Sequence, residues 1–220
     1  MCFSASASFI AGTSLLAVGA VTVRKARHKA ELPFAAIPLL FGVQQLIEGV
    51  IWLTFRFDAP LLNPAMTFVY SLFSHVLWPF YVPLCALLLE PVRWRRKALA
   101  AFLAAGAAVG LYLLVNMFRV PIVSAAVGGH IEYASPHFFI VPVMAGYLAA
   151  TGISTLFSSH RIVRVFGIAA LLSFLGAYAI YAKWFISVWC FFAAVLSAIV
   201  LLYFTNRISP SKESTHGMAF

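Results

Sequence analysis

Apolar residues fall into seven long blocks along the chain, separated by short polar stretches. They cover residues 6–23, 33–55, 64–89, 98–118, 138–157, 162–181 and 184–204. About 20 apolar residues in a helix reach across the hydrocarbon of a bilayer. Each block therefore predicts one transmembrane helix. The last two blocks are nearly continuous, and a single helix of their joint length overshoots a bilayer of about 30 Å. A tight turn is expected near Lys183. The pattern predicts an all-α fold: a polytopic bundle of seven transmembrane helices within residues 1–204. The longest connection, residues 119–137, holds Gly128, Gly129 and Pro136 and reads as an irregular loop. Residues 205–220 include Ser209, Pro210 and Ser211 and read as a flexible tail.

Composition sharpens this reading. Hydrophobic residues make up 63% of the chain and charged residues 10%, with a mean hydropathy of +0.98. A soluble domain is nearer half apolar and a quarter charged. So few charges cannot clothe a water-soluble surface, which excludes a soluble enzyme, a disordered chain and a nucleic-acid module. The partners expected are the lipid bilayer and either other membrane proteins or a second copy, with no nucleic acid. The net charge of +9 is a topology signal. Arg24, Lys25, Arg27 and Lys29, then Arg93, Arg95, Arg96 and Lys97, then Arg161 and Arg164, then Arg207 and Lys212 share one side. Arg56, Arg119 and Lys183 are on the other. The positive-inside rule puts the rich side in the cytoplasm, the N-terminus outside and the tail inside. No basic leader precedes a cleavable apolar core, so no removable signal peptide is expected.

Several residues have packing explanations. Gly12 and Gly19 on the first span, and Gly42 and Gly49 on the second, let helices approach closely. Pro38, Pro79 and Pro83 are expected to kink their helices. Trp52, Trp78, Trp94, Trp184 and Trp189 read as interfacial anchors.

The polar residues inside spans call for more, because ionisable groups there are expensive and face the bundle interior. Glu48 lies roughly 10 Å below the outer surface at 1.5 Å per residue. Gln44 and Gln45 precede it by four and three residues and share its face. His75 on the third span is level with Gln44, and Ser71 sits one turn away on the same face. Gln44, Gln45, Glu48, Ser71 and His75 thus outline a polar pocket entered from the outside.

Three cysteines, Cys2, Cys85 and Cys190, form no paired motif. Cys85 lies near the inner end. Cys190 is at a depth comparable to Glu48, and Cys2 is on the outer side. The outer loop adds His130, Glu132 and His137. Cys2, Glu48, His130 and Cys190 form a candidate ligand set for zinc or copper, since thiolate, imidazole and carboxylate suit those metals. Two other readings stay open: a Cys2–Cys190 disulfide in an oxidising compartment, and unrelated apolar thiols with Glu48 held by its glutamines. Haem is not expected, because His75 is the one histidine placed within a span. Retinal needs a lysine within the last span, and Lys183 falls at the turn. Nothing suggests a nucleotide.

Several segments carry a family resemblance. They are Met1-Cys2-Phe3-Ser4, the run Leu32-Pro33-x-x-x-Ile37-Pro38-Leu39-Leu40-Phe41-Gly42, Gln45-x-x-Glu48, Val82-Pro83-Leu84, Leu89-Glu90-Pro91, Gly129-His130-Ile131-x-Tyr133 and Ser187-x-Trp189-Cys190. The chain resembles a family of small bacterial integral membrane proteins of unknown function that open with Met-Cys-Phe-Ser. The resemblance implies a multi-span protein of the bacterial inner membrane, with recurring polar positions at Cys2, Glu48, Glu90, His130 and Cys190. It brings no activity with it. Ser71-x-x-x-His75 is also similar to an element of the alkaline-ceramidase and adiponectin-receptor superfamily, but the His-x-x-x-His pair expected in the last span is missing. Three functions stand at this point: a protein with an outer-face pocket that binds or passes a small solute, an intramembrane metal-dependent enzyme, and a non-catalytic subunit or assembly factor of a membrane complex.

Overall fold

The computed structural model describes residues 4–180 and 192–206. Among these, seven helical stretches follow the apolar blocks: α1 (Ala5–Lys25), α2 (Lys29–Arg56), α3 (Leu62–Leu89), α4 (Arg93–Arg119), α5 (Val141–Leu156), α6 (Arg161–Ile180) and α7 (Ala193–Thr205). Five of them, α1 to α4 and α6, are long and apolar enough to cross a membrane. The expected turn at Lys183, most of the tail, and Cys2, Trp184, Trp189 and Cys190 lie outside the described residues.

α1 and α2 form a tight antiparallel pair. A methyl group added at Gly12 would lie 2.7 Å from the Leu46 side chain and 3.0 Å from the Gly42 carbonyl, and one at Gly42 would lie 2.9 Å from the Gly12 carbonyl. The two glycines meet backbone to backbone, as small residues at a membrane-helix interface allow. At one end Phe9 covers Gly49. At the other the Thr22 hydroxyl lies 2.6 Å from the Ala35 carbonyl. α7 packs on α1, α2 and α6, while α4 packs on α3 and α5.

The prolines act at segment boundaries more than as plain kinks. α2 is interrupted at Ala36, and Pro38 opens its longer part, Ile37–Arg56. In α3, Pro83 is inside the helix and leaves the Pro79 carbonyl without its α-helical donor. Gly106 of α4 lies against that carbonyl, with no room for a Cβ.

Two features depart from the sequence reading. The connection expected as an irregular loop is a β-hairpin, β1 (Val123–Val127) paired antiparallel with β2 (His130–Ala134), the one sheet among the described residues of a mostly helical fold. Gly128 and Gly129 take φ of 59° and 78° at its two-residue turn. Two successive positive φ values give the twist that matches paired strands, and glycine adopts them without strain. Trp78, expected at an interface, is instead buried in the core, because its ring stacks on Phe41 at 4.2 Å and its indole N–H has a partner in Gln44. Trp94, at the start of α4, is exposed and carries Arg95 over its ring.

The hairpin is fastened along α3. The Thr67 and Ser124 hydroxyls are 2.7 Å apart. Ser124 also donates to Asn63, which donates to Thr54. One turn further along α3, Tyr70 stacks on Tyr133 at 4.6 Å with rings nearly parallel. One turn beyond that, His75 meets Ser135 just after β2. At the opposite, arginine-rich end, Glu90 accepts hydrogen bonds from the Ser159 amide and hydroxyl and from the Val92 amide. That carboxylate ties the loop after α3 to the loop before α6. Burial alone pushes Glu90 toward a higher pKa. The Ser159 and Val92 donors and the nearby Arg95 charge outweigh it and hold the carboxyl below its usual range.

Candidate functional site

Two segments widen from α- to π-helical winding: Leu72–Leu77 in α3 and Ala149–Ile153 in α5. Such single-turn bulges recur at functional sites. In the first, the Trp78 amide donates five residues back, to the Phe73 carbonyl. The Ser74 carbonyl would then look to residue 79, which is Pro79 and has no N–H. Tyr147, fully buried on α5, supplies the donor at 2.6 Å. In the second bulge the Thr151 hydroxyl donates to the Tyr147 carbonyl at 2.9 Å. The two bulges therefore meet through Tyr147.

Between them lies a narrow cavity of about 40 Å³. α2 contributes Phe41 and Gln44, α3 contributes Ser74, Trp78 and Val82, and α5 contributes Tyr147 and Thr151. Phe138, Phe166, Ala170 and Leu196 complete the wall. Gln44 accepts from the Trp78 indole at 2.9 Å, which fixes the amide and the ring against each other. Aromatic and aliphatic walls with a few placed polar groups suit a small, largely apolar molecule carrying one or two polar atoms.

A smaller pocket of about 10 Å³, room for about one water molecule, lies on the far side of His75. Leu113, Asn116, Met117 and Val120 from the end of α4 line it, with Ile122, Ser135, Pro136 and His137 from the connection, and His75 itself. His75 stands between the two spaces. Its Nδ1 is 2.8 Å from Ser74 Oγ and its Nε2 is 2.8 Å from Ser135 Oγ. Phe138 packs edge-on against the imidazole at 5.0 Å.

The residues picked from the sequence separate accordingly. Gln44 lines the larger cavity and His75 the smaller one. Gln45 and Glu48 are buried together on α2, where the Gln45 amide donates to a Glu48 carboxylate oxygen at 3.2 Å. Ser71 is buried, and its hydroxyl has no hydrogen-bond partner among the described residues. Of the metal set, Cys2 and Cys190 lie outside the described residues. Glu48 and His130 are both buried, and burial lowers the His130 pKa, favouring the neutral imidazole that a metal ligates. Groups of three or more potential ligands do not occur among the described residues.

Sequence reasoning missed Ser74, Ser135, Tyr147 and Thr151. An α-helical spacing of four pairs His75 with Ser71, whose backbone does hydrogen-bond the ring; the Ser74 hydroxyl beside the imidazole is the partner that spacing does not give. The signal available was Pro79, five residues after Ser74 and unable to donate to it.

Residues 1–215 match a family model described as a family of unknown function, DUF6629. The chain belongs to the DUF6629 family. No curated protein and no solved structure matches it. Membership spans nearly the whole chain, so both cavities and the hairpin fall within the matched region.

Proposed function

We propose that this DUF6629 chain is a seven-span protein of the bacterial cytoplasmic membrane that binds a small amphiphilic solute within the bundle. In this reading α5 and α7 cross the bilayer together with the five longer helices. The hairpin end faces outward, and the arginine-rich end, with the tail, is cytoplasmic. The cation asymmetry supports that orientation. α5 is shorter than a full span, and residues 135–140, which precede it, occupy the remaining depth where they pack on His75 and Tyr147.

The observation that carries the binding role is the cavity between the two bulges. Its polar atoms are arranged to receive a ligand's polar group. The Trp78 N–H is committed to Gln44 and the Tyr147 O–H to Ser74. The Thr151 hydroxyl donates to Tyr147, leaving its oxygen lone pairs to accept from a ligand hydroxyl or amide.

Fluorescence quenching of the purified protein by a brominated medium-chain alcohol tests the reading. Saturable quenching is expected, lost in Trp78→Phe and weakened about tenfold in Thr151→Val, in line with one hydrogen bond of roughly 1.4 kcal/mol. Unsaturable quenching that ignores both substitutions would overturn it. Elemental analysis of the same sample separates the metal reading: stoichiometric zinc or copper that disappears in Cys2→Ser or Glu48→Gln would move the function to that site. Reporter fusions placed after Ala26 and after Val120 check the orientation, with cytoplasmic and external readouts respectively.

A further inference from the structure

The smaller pocket carries a different chemistry. A nucleophilic site is recognised by a hydroxyl within hydrogen-bond reach of a base, the base being oriented by a third group. Ser135 Oγ and His75 Nε2 are 2.8 Å apart, and His75 Nδ1 and Ser74 Oγ are 2.8 Å apart. These residues come from two separate parts of the chain, sixty positions apart. Ser135 and His75 both line the pocket, so the hydroxyl and the imidazole edge face one small space, into which an ester carbonyl would have to enter from the exposed end of α4.

The surroundings hold this arrangement in place. Pro136 restricts the backbone of Ser135 to extended conformations. The Phe138 amide donates to the Ser135 carbonyl at 3.2 Å, and Phe138 packs on the His75 ring. When Nδ1 carries the proton and donates to Ser74, Nε2 is left as an acceptor facing Ser135. Ser74 is then a positioning residue. Asn116 also lines the pocket. One of its amide N–H bonds goes to the Tyr112 carbonyl at 2.8 Å, and a second remains to stabilise an oxyanion.

We propose that Ser135 is an acyl-accepting nucleophile, with His75 as its base, acting on a lipid carboxylic ester. The ester class follows from the pocket walls, Leu113, Met117, Val120 and Ile122, and from its place at the hairpin end of α4, where Val115, Phe118 and Val120 are exposed to the surroundings. In the first step the Ser135 oxygen bonds to the ester carbonyl carbon while its proton passes to His75 Nε2. The carbon–alkoxy bond then breaks, and the leaving alkoxide takes the proton from Nε2. In the second step a water molecule adds to the acyl-serine, again losing its proton to His75. The carboxylic acid departs as Ser135 regains its proton. The net reaction is ester plus water to acid plus alcohol, with no redox partner.

An alkyl fluorophosphonate, which phosphonylates activated serines, tests the site in the full chain purified in detergent. Intact mass and peptide mapping are expected to show one adduct, on Ser135, absent in Ser135→Ala. His75→Gln is expected to slow labelling by about 10²-fold or more, the contribution of a positioned base. Ser74→Ala is expected to shift the pH profile of labelling while the adduct stays on Ser135, which a purely structural role for Ser74 would not do. Because Ser135→Ala removes a tie between the hairpin and α3, Ser135→Cys serves as a second variant. Its thiol should alkylate with iodoacetamide faster when His75 is present than in Ser135→Cys/His75→Gln. An unlabelled wild-type protein, an adduct on another serine, or labelling and alkylation rates indifferent to His75 would overturn the proposal. The readout does not depend on solute binding in the larger cavity, so the two readings stand or fall separately.

Discussion

The Tyr147 hydroxyl donates to the Ser74 carbonyl at 2.6 Å, filling the place of the amide hydrogen that Pro79 lacks. The bond links α5 to the bulge in α3 at the point where the larger cavity begins. Tyr147→Phe should lower stability by about 1 kcal/mol, the usual net value of one intramolecular hydrogen bond. A double-mutant cycle gives the sharper check. Pro79→Ala restores an N–H to the helix, so in that background Tyr147→Phe should have a clearly smaller effect. Equal effects in both backgrounds, measured by thermal unfolding in detergent, would show that Tyr147 does not serve the carbonyl released by proline.

Close approach at glycine separates the helix pairs that tolerate a methyl group from those that do not. At Gly106 an added Cβ would collide with the Pro79 carbonyl, a backbone atom that cannot step aside. At Gly176 nothing among the described residues lies within 4 Å of an added Cβ. Gly106→Ala should therefore cost at least about 1–3 kcal/mol through overpacking, and Gly176→Ala should be neutral or slightly stabilising through helix propensity. Gly146→Ala falls between them, since its close neighbour is the movable end of Val109. Unfolding midpoints of the three variants should fall in that order.

The seven helices were legible because hydropathy is averaged over many residues, and a misread residue or two leaves the sum intact. The bulges were not. One extra residue per turn leaves no trace in composition, and in α3 the clue was a single proline at the right distance from Ser74. The hairpin was legible in principle. Gly128 and Gly129 form a two-residue turn signal between Val123–Val127 and His130–Ala134, but an apolar chain draws the eye to helices. Trp78 was misplaced because tryptophan's interfacial preference is a tendency, overridden here by the Gln44 partner and the Phe41 stack. Gln44 and His75 were both found, yet they serve different spaces. Helical spacing places residues on a face without saying which neighbouring helix that face meets.

The turn glycines of the hairpin give a separate check on how the two strands are held. An added Cβ at Gly129 meets nothing within 4 Å among the described residues, but its φ is +78°. Gly129→Ala should therefore cost about 1–2 kcal/mol from backbone strain alone. Gly129→Asn should cost less, because asparagine tolerates the left-handed region better. Hydrogen exchange of the Val123–Val127 and His130–Ala134 amides should report the loss locally. The helices should keep their protection, because the strain is confined to the turn.

The loops at the arginine-rich end make stability depend on pH through Glu90. Its carboxylate is buried, accepts from Ser159 and Val92, and has its pKa lowered from the ordinary value of 4.5. A depressed carboxyl pKa stabilises the folded state above the unfolded value, and that stabilisation disappears as pH falls through the folded value. The wild type should thus exceed Glu90→Gln in stability by a constant margin from neutral pH down to about 4.5. The margin should narrow at lower pH, as Glu90 becomes protonated in the folded protein. Near pH 7 it should be about 2 kcal/mol, since the amide cannot accept on both sides and leaves a Ser159 or Val92 donor unsatisfied. Unfolding curves of the two proteins that run parallel through pH 3 would mean that the charge on Glu90 does not join the two loops.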